Sequence, residues 1–327
     1  MNKDKTLWRF ILACLKKGQP VELLVVTESM GSSPGRQGFK MAVTSDGTLC
    51  GSIGGGIMEV KLVEMAKDRL NRGISDAILK KQVHRKSAPQ HQSGMICSGE
   101  QTVLFFPLHA RHLKTVRQVL RCLNKQQPAA LTLTQREHTV QCCVKTPEEH
   151  APFYRFEVIA PSHFRYTEQL GFQHRLYIVG GGHCALALSE LLSKLDFYLC
   201  LLDDRTDLNT LHQNKFVHEK HILRSYADLE ALIPSGSDIY VVVMTLGYRS
   251  DAQVLRQLLN KDLRYLGMLG SAAKSATLRA ELGLEGYSAA ALARLHAPIG
   301  LPIHSQTPEE IAISIAAELV MVRGSTG

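Results

Sequence analysis

Residues 176–188 read LYIVGGGHCALAL, an apolar β-type run that meets three glycines and passes straight into a small-residue helix pattern. Gly180-Gly181-Gly182-His183-Cys184-Ala185 fits G-x-G-x-x-A: the first glycine permits the tight turn, the second lets backbone approach a pyrophosphate, and Ala185 lets helix and strand pack closely. A helix N-terminus at this point faces its partial positive charge toward an anion. The next apolar run ends at Asp203-Asp204, about 20 residues on, where an acid meets a ribose hydroxyl in dinucleotide-binding folds. Strand, turn, helix and acid together predict a Rossmann-like domain. Its turn is read either as a nucleotide site built on Gly180, Gly182, His183 and Asp203, or as a structural turn whose pocket holds something else.

Outward from this stretch the alternation continues, with strands at 197–202, 239–243 and 264–268 and helices at 183–194, 250–260 and 307–322. Such alternation requires crossover connections and a parallel sheet. Thr307-Pro308-Glu309-Glu310 is a helix start, with a capping Thr, Pro at the first position and Glu at the third. Upstream the texture changes. A helix over residues 7–15, a buried strand at 21–27, a strand at 39–43, a helix at 57–71, a strong strand at 101–106, a helix at 111–124 and strands near 129–134, 138–144 and 153–159 predict a mixed α+β domain. Pro161 to His174 is the expected linker. The fold class is therefore α/β, with an N-terminal mixed α+β domain over 1–165 and a C-terminal Rossmann-like parallel-sheet domain over 166–327.

The 327 residues include 38 Lys and Arg against 30 Asp and Glu, a net charge of +8. Basic residues gather only in short groups such as Lys80-Lys81 and His84-Arg85-Lys86, with no stripe interleaved with aromatics, which argues against nucleic acid. The eight cysteines show no CxxC pair and no regular spacing, which argues against a zinc ribbon and a disulfide framework. No uncharged run approaches the ~18 residues of a membrane span. Arg9 interrupts the apolar N-terminal stretch, whose Leu7, Phe10, Ile11, Cys14 and Leu15 have helical spacing, so an amphipathic helix and a cytoplasmic setting are expected.

Two glycine loops in the first domain are unusual. SMGSSPGRQG at 29–38 follows a strand, and GSIGGG at 51–56 leads into a helix with Glu59 in its first turn. Their backbone N–H groups are read either as an anion nest, with Arg36 and Lys40 adding charge, or as two tight turns. Neither ends in the Gly-Lys-Ser/Thr of a nucleotide-hydrolysing P-loop. Cys97, between Met95-Ile96 and Ser98-Gly99, is a candidate exposed thiol. A dehydrogenase needs a proton donor beside its carbonyl substrate, and His183, Tyr248 and His304 form no recognisable pair.

GSSPGRQGFKMAV at 31–43, GSIGGGIME at 51–59, MICSGE at 95–100, LYIVGGGHCALAL, DDR at 203–205, YLGMLGS at 265–271, HAPIGLPI at 296–303 and TPEEIAISIAAEL at 307–319, in this order, resemble the xanthine dehydrogenase accessory family of XdhC/CoxI type. The resemblance spans nearly the whole chain. It implies a chaperone that binds molybdenum cofactor, supports its sulfuration with a cysteine desulfurase, and inserts it into a xanthine-dehydrogenase-type molybdenum hydroxylase, acting as a homodimer. It implies cofactor contacts at Gly31, Ser32, Ser33, Gly35, Arg36, Gly38, Gly51, Ser52, Gly54, Gly55, Gly56 and Glu59, and Cys97 as the residue facing molybdenum. The family's Cys-Gly-Gly is Cys97-Ser98-Gly99 here, Leu246 stands where the family often has His, and Ala272-Ala273 precede Lys274 where basic residues are common. The alternatives are an NAD(P)-dependent oxidoreductase using Gly180, Gly182 and Asp203, or a nucleotide or redox sensor.

Overall fold

The computed structural model describes residues 3–84, 99–149 and 151–325, and the chain divides into two compact units, Met1–Gly171 and Phe172–Gly327. The first unit runs α1 (Lys3–Lys16), β1 (Val21–Gly31), β2 (Lys40–Thr44), β3 (Leu49–Gly51), α2 (Gly56–Asn71), β4 (Ile78–His84), β5 (Gly99–Leu108), α3 (Leu113–Lys125), β6 (Ala130–Arg136), β7 (Thr139–Lys145), β8 (Tyr154–Ala160) and β9 (His163–Gln169). Five strands form an antiparallel sheet in the order β3-β2-β1-β5-β4, and four form a second in the order β7-β6-β9-β8.

Residues 23–26 of β1 form a continuous apolar run because both faces of the strand are covered there. Leu23 and Val25 pack with Trp8, Ile11, Val116 and Val119 of α1 and α3, while Leu24 and Val26 pack with Leu62 and Ala66 of α2. Each such side chain contributes ~1.5–3 kcal/mol on burial. Glu22 shares the α2 face and meets Arg69 at 3.3 Å, with both side chains buried.

The segment expected as a linker is mostly β9, whose alternate residues Phe164, Tyr166 and Glu168 are buried. A charged residue in a core position hides its period of two. Glu168 is tolerated there because Lys40 Nζ lies 2.8 Å from its carboxylate and the Tyr166 hydroxyl donates to it at 2.8 Å.

The second unit runs β10 (His174–Val179), α4 (His183–Leu192), β11 (Phe197–Asp203), α5 (Asn209–Gln213), β12 (Glu219–Ile222), α6 (Leu229–Leu232), β13 (Gly236–Val243), α7 (Tyr248–Leu258), β14 (Leu263–Met268), α8 (Ala272–Leu284), α9 (Ala289–Ala293), β15 (Leu295–His296) and α10 (Pro308–Gly324). All six strands are parallel, in the order β12-β11-β10-β13-β14-β15. This is the Rossmann-like sheet that the alternation predicts, and its direction of growth reverses between β10 and β13. The expected start of α10 is present: the Glu310 N–H donates to Thr307 Oγ1 at 3.2 Å, and Glu310 Oε2 accepts from the Thr307 N–H at 3.1 Å. Glu318, further along α10, accepts from the Tyr265 hydroxyl and the Gly300 N–H, each at 2.6 Å, and contacts His296 Nδ1 at 2.7 Å. These contacts fasten the helix to β14, β15 and the turn that follows. Helix α8, which sequence periodicity does not reveal, is capped by Ser271, whose hydroxyl accepts from the Lys274 N–H at 3.2 Å.

Candidate functional site

The two glycine loops of the first unit meet. A Cβ on Gly35 would collide with the Ile53 carbonyl oxygen, and one on Gly54, whose φ is +129°, would press on Pro34 and the Gly35 nitrogen. A Cβ on Gly99 would likewise run into Ser32 and Ser33. Glycine is required at this corner because three backbone segments approach too closely for any side chain. The Gly35 N–H is taken by the buried Gln101 Oε1 at 3.1 Å, and the buried Ser33 hydroxyl donates to the Gly35 carbonyl at 2.8 Å.

The second loop is closed on itself. Glu59, in the first turn of α2, sends Oε2 back to accept from the Ser52 hydroxyl at 2.7 Å, the Ile53 N–H at 2.9 Å and the Gly55 N–H at 2.9 Å. The Gly54 N–H goes to Ser52 Oγ at 3.2 Å and the Ser52 N–H to the Lys40 carbonyl at 3.0 Å. The N–H groups of this loop thus close on the chain's own carboxylate. Beyond it Gly56 and Ile57 are exposed at the start of α2, where no side chain caps the helix. Gly51 must be glycine because a Cβ there would strike the Lys40 carbonyl.

The first loop differs. Its Arg36 is exposed and donates from Nη1 to the Gly31 carbonyl at 3.1 Å, one of the five donors a guanidinium offers. Gly31 and Ser32 are exposed beside it, whereas Gly38 is packed under the Tyr154 ring. The next residue of the loop, Gln37, lines a pocket of about 300 Å3 together with Glu28, Met30, Lys81, Gln101 and Thr102. Glu28 accepts from the Thr102 hydroxyl at 3.2 Å, and Met30 stands 70% exposed at the rim. Amide, hydroxyl, carboxylate and ammonium groups therefore line one concavity. Sequence reading misses Glu28, Lys81 and Gln101; the long apolar run of β5 is visible in it, but the pairing of β5 with β1 and β4 is not.

Lys40, expected to add positive charge to this loop, does not. Burial disfavours its charge, but Asp4 and Glu168 outweigh that effect and hold its pKa above the ordinary lysine value. Its Nζ lies 3.4 Å from Asp4 and 2.8 Å from Glu168. Cys97 falls outside the described residues.

In the second unit Gly180-Gly181-Gly182 joins β10 to α4 as predicted. Asp203, at the end of β11 and fully buried, accepts from the Gly181 N–H at 2.6 Å, and Arg205 donates to it from its backbone N–H at 2.8 Å, Nε at 2.9 Å and Nη2 at 2.7 Å. Burial pushes the Asp203 carboxyl up, yet the hydrogen bonds from Arg205 and Gly181 prevail and leave it below the usual carboxylate range. The Thr210 hydroxyl donates to the Gly181 carbonyl at 2.5 Å, and Leu208 and Leu211 lie over Gly181. Gly182 has open space where its Cβ would be, and His183 is exposed at the first position of α4.

Beyond β13 the buried Asp251 accepts from the Thr245 hydroxyl at 2.6 Å and pairs with Lys274. Lys274 stands out in the sequence; its partner Asp251, in the first turn of α7, does not. The three proton-donor candidates are separate in role: Tyr248 donates to Glu281, His183 is exposed at the start of α4, and His304 is exposed in a loop at φ +58°. Among the described residues no cluster of three or more His, Cys, Asp or Glu side chains could hold a metal ion, and no helix is long and apolar enough to cross a membrane.

A double-loop first unit followed by a parallel-sheet unit defines a two-part class, and both parts have known relatives. Residues 14–80 match the XdhC and CoxI family and residues 176–319 match the XdhC Rossmann domain, so the chain belongs to the XdhC/CoxI family. Escherichia coli YqeB, an uncharacterized protein, is 24% identical over 309 residues, covering 94% of this chain and 44% of its own length. The chain thus spans less than half of that relative. Escherichia coli PaoD, a molybdenum cofactor insertion chaperone, is 23% identical over 326 residues, with 98% of this chain and 89% of PaoD covered. A Bacillus subtilis protein described as a probable xanthine dehydrogenase component is 35% identical over 82 residues, 25% of this chain and 23% of that one. The crystal structure of a Bacillus halodurans protein described as a xanthine dehydrogenase has the same fold, with a TM-score of 0.71 over 99% of this chain and 96% of that chain at 24% identity.

Proposed function

We propose that this protein binds molybdenum cofactor through its first unit and delivers it to a xanthine-dehydrogenase-type hydroxylase. The observation that carries the reading is the correspondence with PaoD, which runs through both units and nearly the full length of both chains. Within the first unit the 31–38 loop is the place best suited to the cargo. Arg36 presents a charge with planar, paired donors of the kind that recognise phosphate, and the cofactor's pterin carries one. The neighbouring pocket offers mixed hydrogen-bonding groups for a polar bicyclic ring, from Glu28, Gln37 and Thr102.

Cys97 is assigned the face toward molybdenum. It stands two residues before Gly99 in the sequence, and Gly99 packs on Ser32 and Ser33. The sulfur for the metal centre comes, in this reading, from a cysteine desulfurase that meets the loaded chaperone, and the chaperone works in the cytoplasm as a homodimer. The chemistry required of this chain is binding, shielding and release rather than bond breaking.

Expression in cells that make the cofactor, anaerobic purification, and oxidation of bound pterin to its fluorescent form test the proposal. A pterin-to-chain ratio near one, with molybdenum, is the expected result, falling in the Arg36→Ala variant; protein free of pterin under those conditions would sink the proposal. Full hydroxylase activation by Cys97→Ser would remove the role given to that thiol.

A further inference from the structure

The fold of the second unit implies a nicotinamide or flavin dinucleotide, and the residues present do not fit one. In a dinucleotide site the acid at the end of the second strand must reach a ribose hydroxyl, and the glycine turn must leave its N–H groups and outer surface to the pyrophosphate. Asp203 stands at the right point of the strand but is fully buried, and four hydrogen bonds from Gly181 and Arg205 engage both of its oxygens. The middle of the turn, at Gly181, is covered as well. A single methyl group on Gly181 would come within 3.2 Å of Leu208 and 3.4 Å of Leu211. Thr210 fixes the Gly181 carbonyl, which ties the Asn209–Gln213 helix to the turn.

The neighbouring strand end repeats the pattern. Asp251, also fully buried, is satisfied by Thr245 and Lys274. The crevice at the reversal of strand order is therefore flanked by two aspartates, each paired with a basic side chain of the same unit.

We infer that the Rossmann-type turn of this protein carries its ligand within the chain: Asp203, Arg205 and the 208–211 segment take the positions of ribose contact and pyrophosphate cover, and the turn accepts no dinucleotide. A ligand entering there would have to displace charge-assisted bonds, each worth roughly tenfold or more in affinity. The second unit is then a structural or partner-contacting body, and hydride transfer has no cofactor site in it. The inference does not depend on what the first unit binds.

Titration of the intact protein with NADH and NADPH, followed by ligand fluorescence, and with NAD, NADP and FAD, followed by calorimetry, tests it up to about 1 mM, the upper end of ordinary enzyme affinities. No saturable binding is expected. Saturable one-to-one binding of any of them that Asp203→Ala abolishes would overturn the inference. Thermal unfolding supplies a second reading. Arg205→Ala leaves a buried carboxylate without its cation and is expected to lower the melting temperature of the second unit by roughly 5–10 °C, with Asp203→Asn in the same chain recovering most of the loss. Unchanged melting in Arg205→Ala and Asp203→Asn would mean a solvent-facing carboxylate poised for ribose, and would also overturn it.

Discussion

The 51–56 and 31–38 loops look alike in composition and differ in what their glycines do. In the first of them, Glu59 of the following helix fills the ring of N–H groups; in the second, the Gly35 N–H is taken by Gln101, Arg36 is exposed, and its chain neighbour Gln37 lines a polar pocket. The Gly180–Gly182 turn of the second unit sides with 51–56, since Asp203 is to it what Glu59 is to the other. A concave set of N–H groups needs a negative partner, and two of three here find it inside the chain. Glycine content thus marks where backbone comes close; the nearest carboxylate decides whether a ligand is needed.

The largest effect that would test this contrast is steric. Gly54→Ala forces a Cβ into the Pro34–Gly35 backbone at a φ that L-residues rarely adopt, and a loss of about 3 kcal/mol or more in unfolding free energy is expected. Next is Glu59→Ala. It frees two N–H groups and a hydroxyl together, costs ~1–3 kcal/mol, and converts 51–56 into an open nest, so inorganic phosphate should raise the melting temperature of the variant more than that of the parent. A Glu59→Ala chain of full stability that no longer retains pterin would instead make 51–56 the cargo site.

Acid response separates the two units more gently. Burial raises Glu22 to about 7, with Arg69 offsetting only part of the effect, whereas burial, Arg111 and His109 lower His112 to about 4. The Glu22 contribution is complete below 4.5 and disappears as pH rises through about 7. That of His112 is complete above 6.5 and disappears as pH falls through about 4. The two slopes oppose each other within the first unit. In the second unit burial and then Arg323 lower His174 to about 4, and no raised carboxylate offsets it among the shifts resolved there. Hydrogen exchange followed from pH 7 to pH 4 should therefore show the second unit loosening first, and Glu22→Gln should make the first unit follow it.

Arg36→Ala has the smallest expected effect on stability, within ~0.5 kcal/mol as for other exposed positions. Its effect on pterin retention is nonetheless expected to be about tenfold, the value of a charge-assisted contact to phosphate. Melting curves and bound-pterin ratios measured on the same preparations separate the two quantities.

Much of the second unit is legible in the sequence because parallel strands buried on both faces are continuous apolar runs, and because Thr307, Pro308 and Glu310 spell a helix start locally. The ninth strand is not, since Glu168 occupies a core position made tolerable by Tyr166 and by Lys40, 128 residues away. Lys40 itself reads as a loop cation for the same reason. Asp203 can be placed at its strand end from spacing alone, but spacing carries no information on whether its carboxylate faces a ribose or Gly181. The family motifs locate the corner formed by Gly35, Gly54 and Gly99; the pocket beside it depends on antiparallel pairing of β1 with β5, a long-range register that no local pattern encodes.

The central claim is that cargo sits at 31–38 and not in either self-filled turn. Hydrogen exchange on the anaerobic protein, with and without molybdenum cofactor, tests it most directly. The account predicts slowed exchange in 31–38 and 99–102 with 180–182 unchanged; slowed exchange confined to the second unit would contradict it.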